Sequence, residues 1–154
     1  MIVRPINIPD ARYEVIADKG GDVETTRAQI DRYTAGECMV LAMRVFEITG
    51  WSIVAIRDGE GLAVHYLNRR PDGTYIDAHG QFPEVIKSLI TRRHEVAAPI
   101  WKTVHYNALL PMNDDTRREV DAFLDGAWMR AVIPMHERRA RPLRWDDEDN
   151  EYEE

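Results

Sequence analysis

A chain of 154 residues, 44% hydrophobic and 31% charged, has the makeup of a single soluble domain with a core large enough to need no metal or disulfide staple. No run approaches the roughly 18 apolar residues of a membrane span. The opening MIVRPINIPDARYE carries an early proline and early charges, unlike a signal peptide, and one cysteine cannot close an internal disulfide, so a cytoplasmic protein is expected. The net charge of −7 is concentrated in the last nine residues, DDEDNEYEE, which hold seven acidic groups and no basic one. The remainder sums to about zero and offers no electrostatic footprint for nucleic acid.

Read in chain order, Val3, Ile6 and Ile8 among prolines predict an irregular or edge strand, and Tyr13 to Ala17 a weak strand before the loop ADKGGD. Val23 to Tyr33 predicts a short surface helix. AGECMVLAMRVFEITGW follows as a second helix, ended by Gly50. Its polar positions Glu37, Arg44 and Glu47 fall on one narrow stripe, so the helix is expected to be buried and central. Gly36 or Thr34 is the expected cap, with Thr34 and Glu37 spaced as a capping box.

Three strand-like segments come next, WSIVAIR, GLAVHYLN and TYIDAHG, separated by the turns DGEG and RPDG. They predict an antiparallel meander. FPEVIKSLITRR reads as a helix with Pro83 in its first turn, and HEVAAPIWKTVHY holds a further strand. NDDTRREVDAFLDGAWMRAVI reads as one long amphipathic helix stopped by Pro134. Helices, then a meander, then helices imply an α+β fold, with a buried cysteine-bearing helix packed on the sheet. One domain is expected over residues 1–140. The basic-to-acidic stretch 141–154 is expected to be a solvated, disordered tail with affinity for a basic partner, and HERRARPLR before the acids a solvated surface.

The only thiol, Cys38, stands in the first turn of the central helix, where the helix dipole favours a thiolate. A nucleophilic thiol needs a base, and the base needs an orienting group. The turn Arg70-Pro71-Asp72-Gly73 suits a type I turn with a glycine bulge. It sets Arg70 opposite Thr74, and paired residue numbers then sum to 144. Every even-sum register puts His65 and Asp77 on one face of the sheet, here as diagonal neighbours. His65 in an apolar strand, and Asp77 in another, are costly to bury apart.

Gly-x-Cys opening an apolar helix, then a histidine on a strand, then an aspartate after a turn, resembles the papain-like and transglutaminase-like cysteine enzymes. The matching pieces are AGECMVLAMRVFEITGW and AVHYLNRRPDGTYIDAHG, from Gly36 to Gly80. The resemblance implies Cys38 as nucleophile, His65 as base and Asp77 as orienter. It further implies acyl transfer at an amide of a protein or peptide substrate, by a peptidase, deamidase or transglutaminase, with no cofactor. The tryptophan beside the cysteine of papain-type peptidases is missing, and Arg32 stands at the position of their upstream glutamine. Gly36, Gln29, Tyr33 and His79 are the candidates for lining the substrate pocket. Two alternatives stay open: a metal site built from Cys38, His65, Asp77 and His79, and a catalytically silent adaptor or inhibitor on the same fold.

Overall fold

A computed structural model describes residues 25–83, 96 and 98–144. The expected strands before residue 25, most of FPEVIKSLITRR, His94, and the acidic tail from Trp145 onward lie outside them. The fold is α+β. Helices α1 (Arg27–Asp31) and α2 (Cys38–Thr49) precede strands β1 (Ser52–Arg57), β2 (Ala63–Arg69), β3 (Tyr75–Asp77), β4 (Gly80–Phe82) and β5 (Ile100–Val104). Helices α3 (Asp114–Leu124) and α4 (Ala127–Val132) follow. The sheet is antiparallel in the order β4-β3-β2-β1-β5.

The β2–β3 hairpin takes the register its turn dictates. Asn68 pairs with Ile76 and Arg69 with Tyr75, so the numbers sum to 144. The Arg70 N–H donates to Thr74 O at 2.7 Å, and the Gly73 N–H to Arg70 O at 2.9 Å. Gly73 sits at φ +88°, the left-handed conformation that the bulge requires and that a side chain would strain.

Alternation along β1 divides the core. Ile53 and Ala55 pack with Ala42, Met43 and Phe46 of α2, while Val54 and Ile56 join Leu67, Tyr75 and Phe82 on the opposite face. A third cluster gathers α1 to α4 around Tyr33, Phe123 and Trp128. Asn68 ties α2 to the sheet: its buried amide nitrogen donates to Ala42 O at 2.9 Å and to Trp51 O at 3.3 Å.

Three expectations are corrected. Thr34 does not cap α2; its hydroxyl donates to Ile30 O at 2.7 Å from within a π-type turn, Arg32–Gly36, and the cap position is Glu37. The capping box lies one helix earlier, between Thr26 and Gln29 at the start of α1. The long C-terminal helix is two, because Gly126 breaks it: a Cβ there would collide with Thr25 Oγ1, which accepts from the Trp128 N–H at 3.2 Å.

The basic block after Pro134 is the third correction, for it is partly packed. The N–H groups of Arg139 and Leu143 donate to Ile48 O at 2.6 Å and Glu47 O at 2.7 Å, satisfying carbonyls at the end of α2. Arg138 reaches Ile133 O and Leu124 O. The packed chain therefore continues past residue 140, with Leu143 against the core.

Candidate active site

Cys38 is the first residue of α2. The π-type turn before it places the thiol at the helix N-terminus, where main-chain N–H groups lack intrahelical partners. His65 comes from β2 and Asp77 from the end of β3, and the hairpin register puts both on one sheet face. His65 Nε2 and Asp77 Oδ2 lie 2.9 Å apart, both buried. Asp77 Oδ1 accepts from the His79 N–H at 2.8 Å, so each carboxylate oxygen has a donor. The Cys38 thiol and the His65 imidazole influence each other's ionisation, His65 favouring the thiolate and Cys38 the imidazolium.

The β2–β3 ladder stops at Asn68 and Ile76. Beyond its end, the main-chain N–H groups of Tyr66 and Met39 also favour the ionised Cys38 sulfur. These neighbours set the electrostatics. Burial pushes the thiol up, but His65 and the two N–H groups outweigh it and hold Cys38 below its ordinary 9.0. Burial pushes His65 down, and Asp77 and Cys38 outweigh it, raising the imidazole to about 9. Burial likewise raises Asp77, while His65 and His79 keep it below the usual carboxylate range. Between the two shifted values the arrangement favours a thiolate beside an imidazolium.

The other candidates are placed unequally. Gly36 is exposed, and a Cβ added there would meet nothing within 4 Å, so space opens directly before Cys38, itself 7% exposed. His79 is buried next to Asp77. Tyr33 serves the core, stacked on Phe123 at 4.7 Å. The Gln29 side chain accepts from the Thr26 N–H at 2.9 Å in the capping box. Arg32 forms ion pairs with Glu37 and Glu119. Among the described residues no group of three or more His, Cys, Asp or Glu is arranged to hold a metal ion. A cavity of about 780 Å³, lined among others by Arg44, Met112, Arg117, Arg141 and Leu143, holds none of Cys38, His65 and Asp77.

Asn68 escaped the sequence reading of the site, although it interrupts an apolar strand just as His65 does. Trp128 reads in the sequence only as a core packing residue, which its burial bears out; its partner, Ala78, is 50 residues away. No family model matches the chain, and no curated protein or solved structure matches it either. Among the described residues no helix is long and apolar enough to cross a membrane.

Proposed function

We propose that the chain is a cysteine-dependent acyl-transfer enzyme acting at an amide of a protein or peptide, of peptidase, deamidase or transglutaminase type, in the cytoplasm. What supports this reading is the buried His65–Asp77 pair, 2.9 Å apart, together with a Cys38 thiol at a helix N-terminus whose ionisation His65 favours. The Cys38 sulfur attacks the carbonyl carbon, and the carbonyl π electrons move to oxygen. As the tetrahedral species collapses, the C–N bond breaks and the His65 imidazolium gives its proton to the leaving amine. A thioester on Cys38 remains. Water or a second amine then loses a proton to His65 and attacks the thioester, and the thiolate–imidazolium pair is restored. Asp77 fixes the imidazole's orientation and favours its protonated form throughout.

Reaction with p-nitrophenyl acetate tests this without knowledge of the natural substrate. A burst of about one nitrophenol per chain is expected, with the acetyl group located on Cys38 by peptide mapping and no burst from Cys38→Ala. Acetylation scattered over lysines, with no burst, would instead favour the silent adaptor.

A further inference from the structure

Asp77 can orient His65 only if its own carboxylate is held, and the hold on it depends on a single peptide unit. The Ala78 carbonyl and the His79 N–H belong to the same planar amide. The N–H side of that plane donates to Asp77 Oδ1 at 2.8 Å. The C=O side accepts from Trp128 Nε1 at 2.7 Å. Because the amide is flat, fixing the carbonyl direction fixes the N–H direction.

Trp128 is well suited to this task. Its side chain is 1% exposed in the core shared by α1 to α4, and Ala78 is 0% exposed. Its own main-chain N–H donates to Thr25 Oγ1, so backbone and indole are anchored separately. The first turn of α4 is thereby tied to the loop between β3 and β4. A buried indole N–H needs an acceptor, but many carbonyls would serve. Here the acceptor is the one whose peptide partner binds the candidate triad's aspartate.

We infer that Trp128 is a positioning residue for Asp77, acting through the Ala78–His79 peptide plane to hold the carboxylate toward His65. The inference rests on the reading of Cys38, His65 and Asp77 as a catalytic triad. Without the indole donor the turn peptide loses the bond that fixes its carbonyl, the N–H on Oδ1 is held less firmly, and Asp77 orients His65 less firmly. The imidazolium is then less favoured, and so is the thiolate it supports.

Two variants of the full chain test this. Trp128→Phe removes the donor and some volume. Site-specific replacement of Trp128 by 3-benzothienylalanine keeps the ring shape and exchanges N–H for sulfur, which guards against a mere packing defect. The readout is the rate of Cys38 alkylation by iodoacetamide against pH. In both variants the inflection is expected to move upward by about one pH unit, lowering the rate at neutral pH about tenfold. An unchanged profile in the folded benzothienyl variant overturns the role of Trp128 and leaves the triad standing, provided the parent protein shows a lowered inflection. An ordinary thiol profile in the parent overturns the triad and this inference together.

Discussion

Replacing His65 with glutamine is expected to remove the nitrophenol burst and to return the Cys38 inflection to its ordinary 9.0 or above. The direction follows from the balance around the sulfur. Burial alone raises the thiol, and the largest opposing contribution comes from His65. Once that is gone, only the N–H groups of Tyr66 and Met39 still favour the thiolate. Alkylation at pH 7 is then expected to fall by at least about tenfold, since each unit of displaced pKa costs that factor in thiolate. Glutamine suits this test better than alanine, because its amide offers Asp77 a donor. Alanine would strand a buried carboxylate at a cost of about 3–5 kcal/mol and confuse reactivity with stability. A His65→Gln protein with wild-type alkylation at pH 7 would mean that the imidazole does not activate the thiol.

The second large effect concerns stability. Glu47 is 1% exposed on α2. Its carboxylate accepts from Arg44 at 2.8 Å and from Arg117 at 3.4 Å, and from the Tyr106 hydroxyl. Arg44 also grips both oxygens of Asp121, at 2.7 and 3.1 Å. Burial and this carboxylate together push the Tyr106 hydroxyl well above its ordinary value, so it stays a donor. Truncating Glu47 to alanine leaves a buried hydroxyl and two guanidinium groups short of their acceptor. A loss of about 3–5 kcal/mol is expected, which lowers the melting temperature by about 10 °C in a domain of this size. Calorimetry of Glu47→Ala checks it, with Glu47→Gln expected to recover part of the loss. A shift of under about 2 °C would show that Glu47 is not a structural keystone. Because Glu47 lies at the opposite end of α2 from Cys38, the folded fraction should keep its lowered thiol inflection.

The hairpin was legible because local chemistry determines it. A proline, an aspartate and a glycine in Arg70–Thr74 fix the turn; the turn fixes the register, and the register puts His65 beside Asp77. The Glu47 cluster was not legible, since Tyr106 and Arg117 lie 59 and 70 residues further along. In the sequence Glu47 is only one of three polar positions on a narrow helix stripe, with no partner in view. The cap of α2 was misread for a different reason. Thr26-x-x-Gln29 and Thr34-x-x-Glu37 carry the same spacing, but the π-type turn occupies residues 32–36 and commits Thr34 to Ile30. The break at Gly126 depends on Thr25, a contact that helical periodicity alone does not encode.

Ionisation also sets the stability of the site against pH. The raised His65 contributes stability that is full below its unfolded value near 6.5 and is lost as pH climbs through about 9. The lowered Cys38 contributes in the opposite sense, fully above 9.0 and progressively less as pH falls through its folded value. The thiolate–imidazolium pair is therefore confined to the interval between the two folded values. NMR titration of the wild-type protein, following the His65 ring nitrogens and the Cys38 β-carbon together, observes that interval directly. The predicted result is an imidazole still protonated at pH 7 that loses its proton near pH 9, beside a sulfur that ionises below 9.0. A neutral imidazole at pH 7, or a sulfur that ionises only above 9.0, would contradict the account.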